Sequence, residues 1–515
     1  MNDFDTSNPN HFKYTTELLD FHILGGLTTF GLDRMRVTLK VNRIEDEFHA
    51  YRNNIDLYNA NSVEKFVRKL AEFLEVGTSK IRRALQVLIA ELENYRLELL
   101  DQVENEEAEE YLLSKKERRS ASDFLKSKNL LEKTNKLIGQ SGVIGEDGNR
   151  LLMYLIFTSR KMNNPLNCIS FGSSGSGKTH LQSKIAELIP EEERLSLTSL
   201  SANSFYYFKR TELKHKLILI EDLDGADDVL YPLRELQTKK KITKSVVQKG
   251  IGGQGKTKNL TVEGPVSVAG CTTQESIYED NANRSFLIHI DESEEQDEKI
   301  MMYQRQLSAG KIDIEEELKA EELLRNVQRL LKPIKVINPY ALYLSLPRAV
   351  FKPRRTNAHY LQFIEVITFY HQLQRASKFD LQTGEEYIET TLEDIKYANE
   401  ILKPILLRKS DNLNGATRNY LEKLKTYLDN KGDTLFTNRE IRKEFRIAES
   451  TLRRYQLLLL QEGYIKRRKD IDSDSFAYEI IDANEFQELE NSINSALNFC
   501  IEKMEAQTPL SKETK

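Results

Sequence analysis

Two hydrophobic periods run along this chain and replace one another several times. Arg36-Val-Thr-Leu-Lys-Val41 alternates, with Val37, Leu39 and Val41 on one face, inside a β-like stretch from Phe21 to Leu57 that Gly25, Gly26 and Gly31 punctuate. The twenty residues before it are polar and read as loose. A 3.6-residue period then predicts a helix over Ser62–Glu75, with Asn61 as N-cap and Glu64 three residues on. Gly77 stops it, and a second helix runs from Ser79 past Tyr95. The acidic run Glu104–Glu110 reads as a solvated helix or linker.

Farther on, the apolar runs become short and continuous. Helical patterns at Leu130–Ile138 and Leu151–Ser159 precede an apolar run that ends at Phe171. Arg194–Leu200, Lys216–Ile220, Gly264–Thr273 and Phe286–Ile290 read as further strands. Unalternating runs of this kind fit strands of a parallel sheet covered on both faces. Asp291–Leu331 is helical, acidic and amphipathic. Pro333, Pro339, Pro347 and Pro353 then punctuate a turn-rich stretch, followed by a helix over Asn357–Arg375, a turn at Lys378–Glu385 and more helix to Leu428.

The last patterned segment has a different order. Thr437-Asn-Arg-Glu440 is a capping box opening one helix. A second helix begins near Ile447 and stops at Gly463, with Ala448 where a Ser or Thr cap is usual. Tyr464–Arg467 and Phe476–Ile480 are strand-like around an Asp/Ser turn. Helix, turn, helix and two-stranded wing is the winged-helix order. After Ala483 comes an amphipathic helix and a polar tail.

Composition narrows the class without naming a function. At 515 residues the chain is long enough for several domains, and a net charge of −5 does not by itself announce a nucleic-acid partner. Three widely spaced cysteines and eight scattered histidines offer no structural metal site and fit a reducing, cytoplasmic setting. No basic-then-apolar leader is seen and no apolar run approaches about 18 residues, so neither a signal peptide nor a membrane span is expected.

The candidate chemistry is local. Gly172-Ser173-Ser174-Gly175-Ser176-Gly177-Lys178-Thr179 lies between a strand pattern and a helical one, the context of a phosphate-binding loop. Gly172, Gly175 and Gly177 are expected to take positive φ and bring backbone N–H groups close to phosphate oxygens at a helix N-terminus. Lys178 then reaches the β- and γ-phosphates of ATP, and the Thr179 hydroxyl ligates Mg²⁺. Glu221 and Asp222 end an apolar strand and are placed to hold Mg²⁺ through water and polarise the attacking water.

Two basic regions complete the reading. Lys239 to Lys258 holds seven lysines and no acid, with β-like runs on either side of a Gly-rich tip. It reads either as a DNA-gripping hairpin, with Lys249, Lys256 and Lys258 around the tip, or as a solvated loop. The winged-helix segment carries Arg453, Arg454, Lys466, Arg467 and Arg468, which fit duplex DNA; protein docking is the other reading.

In order and motif the chain resembles AAA+ ATPases with a β-hairpin before sensor 1. Leu233-Arg-Glu-Leu, the basic hairpin, Ala269-Gly-Cys-Thr-Thr and Asn283-Arg-Ser-Phe resemble minichromosome-maintenance-type helicases. Residues 18–480 resemble more closely the helicase portion of primase–helicases of bacterial mobile elements, through Leu24-Gly-Gly, Gly31–Lys40, Ile55-Asp-Leu-Tyr58, Phe171–His180, Ile220–Gly225 and Asp291-Glu-Ser293. The resemblance implies Thr272 as sensor 1, Arg284 as an arginine finger on a neighbouring subunit's nucleotide, and Arg355 as sensor 2. The Glu-then-Asp order of residues 221 and 222 departs from the usual Asp-then-Glu, which bears on hydrolysis rate.

The expected fold class is therefore α/β: an N-terminal α/β domain with helical linker (1–118), an AAA+ P-loop ATPase core (119–310), a helical lid and linker (311–428), a winged helix-turn-helix (429–482) and a tail (483–515). The implied function is an ATP-dependent DNA helicase or replication ATPase of a mobile genetic element. It works as a homo-hexameric ring, with single-stranded DNA in the channel, duplex at the winged helix and a separate primase as partner. The other reading is an ATP-switched DNA-binding assembly or regulatory factor that does not unwind.

Overall fold

The structure, a computed structural model, describes residues 3–27, 35–105, 111–197, 204–224, 227–249, 255–273, 284–347, 350, 352–469, 476–481 and 484–507. The chain divides into two compact units, Met1–Leu112 with Thr243–Thr261, and Leu113–Ile242 with Val262–Lys515.

In the first unit, strands β1 (Asp3–Asp5), β2 (His11–Thr15), β3 (Leu19–Leu24), β4 (Arg36–Arg43) and β5 (Asp46–Asp56) form an antiparallel meander in chain order. Phe12, Tyr14, Phe21, Ile23, Val37, Leu39 and Val41 share a core with α1 (Ala60–Leu74) and α2 (Thr78–Asn105). The intervening residues take the other face, as a two-residue period requires. Residues 3–20 are thus not loose. Phe12 pairs with Ile23 and Tyr14 with Phe21, but two apolar residues around Lys13 are a short signal in a polar context. The cap of α1 is Asn59, whose Oδ1 accepts from Ser62 N at 3.1 Å; Asn61 lies inside the first turn. Gly31 lies outside the described residues.

The second unit is built on β6 (Cys168–Phe171), β7 (Arg194–Leu197), β8 (Lys216–Ile220), β11 (Val266–Thr272) and β12 (Phe286–His289), all parallel in the order β12-β6-β11-β8-β7. Alternate strand residues feed two cores. Leu217, Leu219, Ala269 and Ile288 join Tyr154, Leu181 and Ile185, whereas Ile218, Ile220, Val266 and Val268 join Leu233 and Leu236. With both faces covered, both sets must be apolar, which is why these strands show no alternation. Helix α5 (Asp147–Thr158), after α3 (Lys115–Leu125) and α4 (Leu130–Gln140), is buried at every position from Arg150 on. Helices α6 (Lys178–Glu187) and α7 (Asp227–Lys239) follow β6 and β8.

Between α7 and β11 the chain makes a two-stranded sheet, β9 (Lys241–Lys249) with β10 (Gly255–Glu263). Thr243 and Thr261 hydroxyls meet at 3.3 Å and Ser245 Oγ donates to Asn259 at 2.7 Å, an antiparallel register. Its base is apolar, with Ile242 and Val262 buried, and Gly264 N donates to Lys240 O at 2.8 Å across the neck.

Helices α8 (Glu294–Ser308), α9 (Ile314–Leu330), α10 (Pro353–Tyr370), α11 (Leu392–Ser410) and α12 (Gly415–Lys431) follow the sheet. Helix α10 starts at Pro353 rather than Asn357, because a proline at the first helical position loses no hydrogen bond. The expected turn at Lys378–Glu385 includes a short strand, β14 (Lys378–Phe379), in a small sheet with β13 (Lys335–Ile337) and β15 (Glu386–Glu389).

The C-terminal module sets α13 (Asn438–Phe445) and α14 (Glu449–Gln461) beside a three-stranded antiparallel sheet in which β18 (Phe476–Ile480) lies between β16 (Leu435–Thr437) and β17 (Ile465–Lys469). Thr437 caps α13 through Glu440 N at 3.3 Å, and Ala448 leaves α14 without a side-chain cap. Strand β16, three residues long, is too short to read as a pattern. Helix α15 (Glu485–Gln507) packs Ile493, Leu497, Cys500 and Met504 into the core that holds α10 and α11. Among the described residues no helix is long and apolar enough to cross a membrane.

Candidate functional site

The glycine-rich loop leaves the end of β6 and enters α6 at Lys178. Gly175 and Gly177 have φ of +83° and +90°, as the spacing predicts. Gly172 differs: its φ is not positive, and the atoms nearest to an added Cβ are the ends of two side chains. A Cβ there would stand 2.6 Å from Ser176 Oγ and 3.0 Å from Glu292 Oε1. Lys178, largely buried, donates to Gly172 O at 2.9 Å and Ser173 O at 2.5 Å, so its ammonium lies over the loop. Ser176 Oγ is buried without a partner among the described residues. Tight glycine backbone, a helix N-terminus, a lysine ammonium and an unpaired hydroxyl fit a phosphate chain.

The acids stand where β8 ends. Glu221 and Asp222 are exposed, and Asp222 Oδ1 accepts from Asp224 N at 2.8 Å. Strand β11 lies between β6 and β8, so its end, Thr272, falls between the loop and the acids. The Thr272 hydroxyl donates to Asp224 Oδ1 at 2.5 Å, and Thr273 donates to Asp224 Oδ2 through N at 3.1 Å and Oγ1 at 2.7 Å. Burial pushes the Asp224 carboxyl up, but the bonds from Thr272 and Thr273 and the charge of Lys178 outweigh it and hold it below the usual carboxylate range. Asp224 escapes a reading of the sequence; its signal is only an acid two residues beyond Asp222, across a turn that the Asp222 side chain closes.

Cys271 reports how closely these groups converge. Burial raises its thiol to about 11; Thr179, Lys178 and Ser170 oppose that rise and Asp222 adds to it. The Cys271 thiol also reaches Gln182 Oε1 at 3.4 Å, and Gln182 Nε2 donates to Ile220 O at 3.3 Å, tying α6 to both neighbouring strands. Gly270 is required there, because a Cβ would meet Leu223 Cδ1 at 2.7 Å.

Arg284 precedes β12. The parallel register pairs Phe286 with Cys168, so Arg284 lies at the opposite end of the strands from Gly172. Its guanidinium donates to the Thr238 hydroxyl of α7, and its Nε is buried without a partner among the described residues. Arg355 is exposed in the first turn of α10. It acts electrostatically on His359, pushed down to about 3 by burial and nearby cations, and on Lys409, pushed down to about 8 by burial, Arg355 and Lys352.

The basic candidates divide. Lys249, Lys256 and Lys258 belong to β9 and β10, but their side chains and the tip 250–254 lie outside the described residues. In the C-terminal module, Arg453 and Arg467 line a cavity of about 750 Å³ with Arg439, Arg442 and Lys443, three α13 residues not singled out from sequence. Leu457 and Tyr478 also line it. Arg467 lies over the Phe476 ring, 4.8 Å from its centroid. Lys466 and Arg468 take the other face of β17, where Arg468 pairs with Glu479 at 2.7 Å. Arg454, exposed, lies against Tyr455 at 5.4 Å, and Arg442 pairs with Glu449 at 2.7 Å.

What the loop, the lysine and the neighbouring acids are suited to hold is a chain of phosphates, and that makes this unit a P-loop nucleotide-binding domain on a parallel α/β sheet. The comparisons agree with that class. Residues 114–333 match the family described as the MTBMA_p00010 P-loop domain. The chain is similar, at 24% identity over 313 residues, to uncharacterized protein MTBMA_p00010 of Methanothermobacter marburgensis, the match spanning 58% of this chain and 38% of that protein. Among solved structures, a full-length MCM homolog from Methanopyrus kandleri aligns with a TM-score of 0.37 and 12% identity, over 58% of this chain and 62% of that one. The chain thus spans less than two thirds of either protein.

Proposed function

We propose that this chain is an ATP-hydrolysing motor of the AAA+ type that works as a ring on DNA, a helicase or replication ATPase of a mobile element. The observation behind it is the strand order. It lines up Lys178, Thr272 with Asp224, and Glu221 with Asp222 at the ends of three adjacent strands, while Arg284 stands at the far end. A residue so placed serves better on a neighbour's nucleotide than on its own, which favours an assembly of several copies. On this reading residues 119–310 are the ATPase core, 311–428 the lid and linker, and 429–482 a winged helix.

The roles follow from position. Lys178 exchanges two loop carbonyls for phosphate oxygens, and Thr179 offers its hydroxyl to Mg²⁺. Glu221 and Asp222 orient water and take its proton. The Thr272 hydroxyl donates its one proton to Asp224, so Thr272 senses the γ-phosphate by turning that proton from the carboxylate to a phosphate oxygen. Arg355 serves as sensor 2. Bound ATP with Mg²⁺ supplies the phosphoanhydride whose cleavage drives the cycle. Lys249, Lys256 and Lys258 grip single-stranded phosphates, and the Arg453–Arg467 cavity holds duplex.

The test is strand displacement on forked DNA with ATP, wild type against a variant with Lys249, Lys256 and Lys258 changed to alanine. Displacement by the wild type, abolished in the variant while basal ATP hydrolysis persists, is the expected result. Equal unwinding by both would overturn the hairpin mechanism. Hydrolysis and DNA binding without any displacement would replace the motor with an ATP-switched assembly factor.

A further inference from the structure

The segment after β12 is held at residue after residue. Ile290 N donates to Phe171 O at 3.0 Å, extending the pairing of β12 with β6 by one step. Asp291 N donates to Glu146 Oε1 at 2.7 Å and Ser293 N to Asp291 Oδ1 at 2.9 Å. Ser293 Oγ caps α8 by accepting from Gln296 N at 3.3 Å, and the Gln296 side chain donates to Ile144 O at 2.9 Å. Between these anchors the Glu292 carboxylate accepts the Ser173 N–H at 2.6 Å. Its Oε1 lies 3.0 Å from where a Gly172 Cβ would stand.

An acid 119 residues along the chain is therefore set against a loop suited to receive anions. It grips the amide of a residue whose carbonyl is also held, because Lys178 donates to Ser173 O at 2.5 Å. When Lys178 turns to a phosphate chain that carbonyl loses its donor, and the incoming charge repels the carboxylate on the N–H side. Both effects loosen the same residue.

Building on the nucleotide-binding reading, we propose that Glu292 is a positioning residue and electrostatic latch of the phosphate loop. It holds the Ser173 amide in place and passes loop occupancy to α8, whose cap is the very next residue. The charge opposes the ligand while the hydrogen bond supports the loop, and the two contributions separate by substitution.

Glu292→Gln keeps an oxygen acceptor and removes the charge. Nucleotide titration should show ATP binding about fivefold tighter than wild type at low salt, with the gap closing near about 0.5 M salt as screening takes over. Glu292→Ala removes the acceptor as well. Amide hydrogen exchange across residues 291–300 should respond to ATP in the wild type and lose that response in Glu292→Ala. ATP affinity for Glu292→Gln equal to or below wild type, with unchanged melting temperature, would overturn the proposal. So would an equal exchange response in wild type and Glu292→Ala. Lys178→Ala run in parallel separates the two ideas, since wild-type ATP affinity in that variant would sink the nucleotide site itself.

Discussion

The phosphate loop and the C-terminal cavity both offer positive charge, and they are built in opposite ways. The loop is made largely of backbone: Gly175 and Gly177 at positive φ, Gly172 with the Ser176 hydroxyl 2.6 Å from where a Cβ would stand, and one buried lysine held by two carbonyls. The cavity is made of long side chains on α13, α14 and β17, exposed and partly balanced by acids such as Glu449, the partner of Arg442. A backbone site has one working geometry, so a single change removes it. A side-chain site is a sum of separately tunable interactions, and exposed ion pairs of this kind are worth at most about 1 kcal/mol each.

The largest expected effect tests the backbone side of that contrast. Lys178→Ala and Gly172→Ala should each lower ATP affinity, the former on the order of a hundredfold, because it removes two charge-assisted hydrogen bonds from the ammonium to phosphate oxygens, about 1.5 kcal/mol each. Equilibrium titration with a fluorescent ATP analogue checks both. Tolerance of Gly172→Ala would mean that the loop bends as freely as the cavity, and the contrast would fail.

A smaller and graded effect is expected at the cavity. Arg453→Ala and Arg467→Ala should each reduce the log–log salt slope of duplex binding by about 0.9 for every phosphate no longer neutralised, and the double variant by the sum. Duplex titrations at several salt concentrations read the slope. Loss of all binding on a single change would show a cavity as geometrically strict as the loop. An unchanged slope in the double variant would point to protein docking.

The smallest effect concerns how firmly the cavity's walls are held. Ala448→Ser should supply the cap α14 lacks and stabilise the C-terminal module by about 0.5–1 kcal/mol, seen as a higher melting temperature with ATP affinity unchanged.

The same contrast governs what can be read from the residues alone. The loop is legible because glycine spacing and a strand-then-helix context are local, and the core strands because burial on both faces leaves an unbroken apolar run. Partners that meet only through the fold are not legible. Glu292 reaches Ser173 across 119 residues, and Asp224 looks like a surplus acid until β11 brings Thr272 and Thr273 to it. Arg439, Arg442 and Lys443 read as the polar face of a helix until α14 and β17 close a cavity around them. Strands β1 and β2 stay hidden because Phe12 and Tyr14 gain their meaning only opposite Ile23 and Phe21. Pro353 reads as punctuation, although a proline opens a helix as readily as it ends one.

The neck beneath β9 and β10 bears on how this chain can be rebuilt. Lys240 and Gly264 are joined at 2.8 Å, and Ile242 and Val262 are buried beside them, so the residues that close the neck belong to the apolar base and not to the arm. Doubling the length of a flexible loop beyond such a junction adds only about 0.6 kcal/mol of closure entropy. The arm thus behaves as a socket. A reporter, or a shorter or longer arm from another sequence, can be grafted between Lys249 and Gly255 while the strands carrying the acids and Thr272 keep their register.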